Sequence, residues 1–145
     1  MGEAQVAAST TELFAWNDTY SVQIGIIDMQ HKNLVGLVNE LHGAMMKGHG
    51  KDKLGQILSK LIKYTEMHFG TEEKLMQSHG YPEYSAHKAE HDHLTHTVAD
   101  LQRKFQANEV GLTVEVMDFL KDWLGKHIMG SDKRYAPFLN SKGVR

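Results

Sequence analysis

The sequence predicts an all-α fold, an antiparallel up-and-down four-helix bundle with an extended N-terminal arm, and three observations lead to it. Four stretches place apolar residues at alternating steps of three and four, the period of one helix face. Runs of turn-forming residues, Gly48-His49-Gly50, Ser78-His79-Gly80 and Asn108 to Gly111, separate them. The chain has 145 residues; four helices of about twenty residues with short connections use that length, as a single domain.

Residues 1 to about 24 read as a polar arm that gains Phe14, Trp16 and Tyr20, aromatic side chains able to dock on a helical body. The bundle is expected over about 25–130. Its first helix starts near Ile26, with Asp28 placed to suit the helix dipole, and turns Ile27, His31, Leu34, Val38, Leu41 and Met45 inward. The second, about Lys51 to Gln77, has the inward row Leu54, Ile57, Leu58, Leu61, Thr65, His68, Glu72 and Leu75. Pro82 opens the third, at a position that tolerates the missing amide hydrogen, with Tyr84, His87, His91, Leu94, Val98, Leu101 and Phe105 inward. The fourth runs from about Leu112 with Val116, Leu120, Trp123 and His127 inward. It ends near Gly130, leaving Asp132, Tyr135 and Pro137 in a short tail.

Composition excludes several classes of function. Sixteen basic and eighteen acidic residues give a net charge of −2 with no basic block, which argues against a nucleic-acid or anionic-membrane surface. Without cysteine there are no disulfides, thiolate ligands or cysteine nucleophiles, so any metal must be held by His, Asp and Glu. No apolar run reaches the eighteen or so residues that span a bilayer. Met1-Gly2-Glu3-Ala4-Gln5-Val6 lacks a signal-peptide pattern and has Val6 where a myristoylation motif wants Ser or Thr. The cytoplasm and a monomer are the defaults.

The chemistry lies in the core rows. An imidazole or carboxylate buried in an apolar seam costs several kcal/mol unless bonded or neutralised, and one such histidine is ordinarily structural. Here all four predicted helices carry a histidine in the seam. His68 with Glu72 and His87 with His91 are i,i+4 pairs, the spacing that aims two ligands at one point. His42, His49, His79, His93 and His96 fall off the seam and are expected at the surface. Asp132 is harder to place: five residues beyond His127 is about 500° of α-helix, or about 140° between the side chains. A distortion near Gly130 would bring it inward, but spacing alone favours the surface.

Taken together, Asp28-x-x-His31-Lys32, His68-Phe69-x-x-Glu72-Glu73, His87-x-x-x-His91 and Trp123-Leu124-x-x-His127-x-x-x-x-Asp132-x-x-Tyr135 resemble the hemerythrin family in its bacterial single-domain branch. The match runs from about Trp16 to Tyr135. The resemblance implies two non-haem iron ions with a bridging oxo or hydroxo group. It implies that His87, His91 and His127 hold one iron, His31 and His68 the other, and that Glu72 and Asp132 bridge them. It places Phe69, Trp123 and Leu124 at the ligand pocket, with Leu124 over the iron that has an open position. The implied ligand is dioxygen, bound reversibly for storage, transport or delivery to an oxygen-accepting enzyme. One departure is Leu94, where animal hemerythrins tend to have Phe. A di-iron enzyme or sensor acting on dioxygen, peroxide or nitric oxide is the alternative. Five histidines against two carboxylates favour binding over oxygenase chemistry, because ferritin-like oxygenases use mostly carboxylates.

Overall fold

The computed structural model describes residues 12–145. Its helices are α1 (Gly25–Met46), α2 (Lys51–Ser78), α3 (Tyr84–Gln106), α4 (Val114–His127) and α5 (Lys133–Ser141), with a five-residue π turn, Ile128–Asp132, joining α4 to α5. α1 packs on α2 and α4, and α2 on α3, the neighbour relations that short connections impose on an antiparallel bundle. Two starts lie later than expected. Pro82 and Glu83 form a turn before α3, in which the Tyr84 amide donates to the Tyr81 carbonyl at 3.1 Å. α4 starts at Val114 because the Thr113 hydroxyl accepts from the Val116 amide, a side-chain N-cap.

Two apolar clusters fill the interior. The larger includes Leu34, Val38, Leu41, Leu58, Leu61, Val98, Phe105, Leu120 and Leu124. The smaller includes Val22, Ile24, Ile27, Met76, Tyr81, Tyr135 and Leu139. Along α1 and α2 a polar layer separates the two, and that layer holds the site. The seams hold with local shifts: Ala44, Met76 and Met117 are the buried residues, while their expected neighbours Met45, Leu75 and Val116 are half-buried, as are Tyr84, Leu94 and Leu101.

The arm is docked, and it enters the core. Phe14 is 1% exposed, and its amide donates to Asn39 Oδ1 at 2.9 Å while Asn39 Nδ2 donates back to the Phe14 carbonyl at 2.8 Å. The Phe14 ring packs over Gly125, where a Cβ would stand at 3.5 Å, an ordinary contact distance. Asn17 caps a short 3-10 turn, Asp18–Tyr20. Asp28 does more than suit the helix dipole. It accepts from the Ser21 hydroxyl at 2.5 Å and the Val22 amide at 2.9 Å, tying the arm to α1. Residues 1–11, with the expected start of the arm and the Met1 to Val6 reading, lie outside the described residues.

The expected tail is a correction. Residues 133–141 are helical, and Tyr135, Ala136 and Leu139 are buried. An amphipathic stretch continues past Gly130 because the π turn absorbs one extra residue and returns the chain to the same face.

Candidate metal centre

Seven side chains from four helices and the π turn converge in the polar layer. His31 comes from α1, His68 and Glu72 from α2, His87 and His91 from α3, His127 from the end of α4 and Asp132 from the π turn; all seven are buried. The π turn solves the placement of Asp132. The Lys133 amide donates to the Ile128 carbonyl five residues back, so one turn here takes an extra residue and residues five apart share a face. Asp132 is therefore fully buried, not the surface residue that straight-helix spacing favours.

The carboxylate oxygens divide the histidines. On one side, Glu72 Oε1 is 3.0 Å from His91 Nε2, 3.9 Å from His87 Nε2 and 4.0 Å from His127 Nε2. Asp132 Oδ1 is 3.1 Å from His87 Nε2 and 3.2 Å from His127 Nε2. On the other, Glu72 Oε2 is 3.2 Å from His68 Nε2 and 3.4 Å from His31 Nε2, and Asp132 Oδ2 is 2.9 Å from His31 Nε2. Each carboxylate spans both halves, one with three imidazoles and one with two. Separations near 3 Å suit neighbouring ligands about 2.1 Å from a six-coordinate ion, since 2.1 Å times √2 is about 3 Å. Two groups of donor atoms lie within 4.8 Å of one another, Glu72, His87, His91, His127 and Asp132, and His31, His68, Glu72 and Asp132.

The donors need a cation. Nε2 of His31, His68 and His87, Oε1 of Glu72 and both oxygens of Asp132 are buried without a hydrogen-bond partner, a cost the fold sustains only if something positive sits between them. Metal or protons can serve. With protons alone, burial pulls the His31 and His87 imidazoles down, but the close Asp132 and Glu72 carboxylates outweigh it and hold both at about 9. For His127, burial is likewise outweighed, first by the Asp132 charge, and its pKa stands at about 10. Burial would raise Glu72 and Asp132; the imidazoles, His68 foremost for Glu72 and His127 for Asp132, hold both well below the usual carboxylate range.

A second layer orients the ligands, and most of it was not singled out in the sequence. His68 Nδ1 lies 2.7 Å from Gln30 Oε1 and His91 Nδ1 2.9 Å from Glu73 Oε2. An acceptor on Nδ1 fixes the proton there and leaves the Nε2 lone pair for the centre. His127 Nδ1 is 3.3 Å from Glu90 Oε1, which also accepts from the Ser131 hydroxyl. The Tyr135 hydroxyl donates to Glu72 Oε2 at 2.7 Å. Glu73 and Glu90 stand beside seam residues in sequence, and Gln30 beside His31, a signal too common to identify them alone.

The apolar residues expected at the pocket are all buried. Phe69 stacks on His91 with ring centroids 3.8 Å apart and planes within 6°. Trp123 and Leu124 belong to the larger cluster, and Leu94 lines a groove of about 360 Å³ with Trp123, Phe119 and His127. Among the histidines expected at the surface, His49, His93 and His96 are exposed. His42 is not: it is half-buried with Nδ1 enclosed. His79 is also half-buried, because its Nδ1 reaches back to the Leu75 carbonyl at 2.8 Å and closes the end of α2.

The sequence profile of the hemerythrin HHE cation binding domain matches residues 22–139. The chain belongs to the hemerythrin family. Among hemerythrin relatives it is 41% identical over 130 residues to a bacteriohemerythrin of Methylococcus capsulatus, covering 89% of this chain and 98% of that protein. It is 36% identical over 124 residues to one from Stenotrophomonas maltophilia, covering 86% and 80%. A myohemerythrin of Theromyzon tessulatum is 27% identical over 124 residues, covering 86% and 92%. The crystal structure of a wild-type hemerythrin superposes with a TM-score of 0.82 at 41% identity, covering 88% of this chain and 98% of that one. Among the described residues no helix is long and apolar enough to cross a membrane.

Proposed function

We propose that this hemerythrin binds dioxygen reversibly at two non-haem iron ions joined by an oxo or hydroxo bridge, with His87, His91 and His127 on one iron, His31 and His68 on the other, and Glu72 and Asp132 across both. The observation that carries the reading is the unequal division of histidines along the two carboxylates. Three imidazoles, two carboxylate oxygens and a bridging oxygen would fill six positions on a bound iron, whereas the half with two imidazoles would leave one position free for an exchangeable ligand. The names of the bacteriohemerythrin relatives support the same assignment.

When bound, the irons supply the electrons that make dioxygen binding possible. The chain supplies their setting. Gln30 and Glu73 hold the His68 and His91 rings from their outer nitrogens, Glu90 lies 3.3 Å from that of His127, and the Tyr135 hydroxyl holds Glu72 at Oε2. The apolar wall of Phe69, Trp123 and Leu124 keeps out water and provides no acid, so no group there delivers a proton to bound oxygen. An apolar wall without an acid favours release over turnover, which supports a carrier over an oxidase or peroxidase.

The test is optical. The iron-loaded protein, reduced without air and then exposed to it, develops a charge-transfer band that disappears on deoxygenation and returns over repeated cycles. Leu124→Ala, which opens the wall, shortens the number of cycles by faster irreversible oxidation. Oxidation of the parent protein in a single exposure, with peroxide or nitric oxide turned over at about 1 per second or more, would replace the carrier with an enzyme.

A further inference from the structure

The two halves of the site differ in more than their number of histidines. On the three-histidine half two of the outer nitrogens lie near carboxylates: His91 Nδ1 is hydrogen-bonded to Glu73 Oε2 at 2.9 Å, and His127 Nδ1, which makes no hydrogen bond, is 3.3 Å from Glu90 Oε1. On the two-histidine half no carboxylate of the described residues lies at an outer nitrogen. His68 Nδ1 meets the neutral amide oxygen of Gln30 at 2.7 Å, and His31 Nδ1 is buried with no hydrogen-bond partner among the described residues. The Gln30 amide is itself oriented, because its nitrogen lies 3.4 Å from Thr71 Oγ1 and 3.7 Å from Met67 Sδ. Gln30 is 5% exposed, so the local field is little screened by water.

An anionic acceptor on Nδ1 draws the ring proton toward itself and pushes electron density to Nε2, which makes the imidazole a stronger donor to a cation. A neutral amide orients the ring without that push. Resting on the two-iron reading above, we propose that Gln30 is a positioning residue that keeps the two-histidine half the weaker-held and more exchangeable of the two, by anchoring His68 through an uncharged acceptor where the opposite half uses Glu73 and Glu90. The exchangeable ligand and the exchangeable metal then belong to the same half, for a reason independent of ligand count.

The contrast can be reversed one atom at a time. Gln30→Glu keeps the shape and the acceptor but adds charge, and the Thr71 hydroxyl, which now donates to the Met67 carbonyl at 3.2 Å, can turn to donate to the new carboxylate. Glu73→Gln removes charge from the three-histidine half at a half-buried position.

The experiment uses the full chain loaded with ferrous iron alone, without air, and follows release to an excess of a coloured ferrous chelator. The parent loses one iron per chain in an early phase and the second in a later one. Gln30→Glu slows the early phase by about tenfold or more, the size usual for outer partners of ligating histidines, and leaves the late phase unchanged. Glu73→Gln speeds the late phase and leaves the early one unchanged. A single phase in the parent, or Gln30→Glu releasing its early iron at the parent rate, would overturn the proposal, the latter showing that Gln30 only holds the ring in place. Should Gln30→Glu fail to fold, Glu73→Gln decides alone, and an unchanged late phase overturns the proposal. A parent that binds one iron or none defeats the two-iron reading instead, which separates the two failures.

Discussion

Glu72→Gln probes the site at the atom pair that both halves share. Glu72 is fully buried; its Oε2 takes the Tyr135 hydroxyl at 2.7 Å and faces His68 at 3.2 Å and His31 at 3.4 Å, while Oε1 faces His91 at 3.0 Å. An amide has one oxygen and one NH2. If the NH2 takes the Oε2 position it confronts the Tyr135 donor and the His31 and His68 lone pairs; at Oε1 it confronts the three-histidine half. Either way one half loses a ligand oxygen and both lose the shared negative charge. Removing one member of a buried charge set costs about 3–5 kcal/mol. For a chain of this size about 2–4 °C of melting temperature accompanies each kcal/mol, so the melting point of the iron-loaded protein should fall by roughly 6–20 °C, with binding of both irons weakened together. The assay is metal content per chain by elemental analysis beside a thermal melt. Retention of two irons with a melting point within about 2 °C of the parent would refute the bridging role, and loss of one iron with firm retention of the other would show that Glu72 serves one half only.

The remaining predictions concern the clamp, the metal-free charge set and the arm. His87→Ala and His91→Ala should each lose iron and much stability, because metal binding at a buried site is folding free energy, whereas His93→Ala and His96→Ala, exposed on the same helix, should hold two irons; equal iron content in all four variants would contradict the site. In the metal-free protein His31 and His87 stand at about 9 and His127 at about 10 against an ordinary 6.5, so their contribution is complete below about pH 6.5 and is lost as pH rises through 9 to 10. Glu72 and Asp132 are depressed, so theirs is present above the ordinary carboxylate range and is lost on acidification. Denaturant midpoints of the metal-free protein should therefore fall between pH 7 and 10, and a rise there would contradict the charge set. Iron retention runs the other way on the acid side: protons compete for the imidazoles, and iron should leave as pH falls well below about 6, so full retention through long incubation near pH 3 would refute it. Phe14→Ala should cost about 3–5 kcal/mol in denaturant unfolding, the price of emptying a fully buried aromatic site; a loss under 1 kcal/mol would mean that the arm is not part of the core.

Much of the site was legible because helical period and ligand spacing are both local. His31, His68, Glu72, His87, His91 and His127 stand in rows where apolar side chains belong, and a histidine in every seam is a pattern that independent structural histidines rarely make. Two i,i+4 pairs share a helix face by geometry alone. The same locality explains the bundle, since four amphipathic stretches with short turns have few ways to bury one face each.

What the sequence by itself determined was the fold class, the seams and six inward-facing histidine and glutamate side chains, because each follows from the order of side chains along one helix. Asp132 needed the tertiary structure: straight α-helix carries it about 140° away from His127, and only packing of Tyr135 and Leu139 into the second cluster, beneath a π turn, turns it inward. The same packing makes the expected tail a helix. Phe14 is held at the core by hydrogen bonds to Asn39, a residue far away in sequence. Gln30, Glu73 and Glu90 acquire their roles by facing imidazoles across the layer, 38 residues apart for Gln30 and His68 and 18 for Glu73 and His91. Period tells which way a side chain points along its own helix; which atom it meets there depends on the rotation and depth of the neighbouring helix, and those are set only when the whole bundle packs.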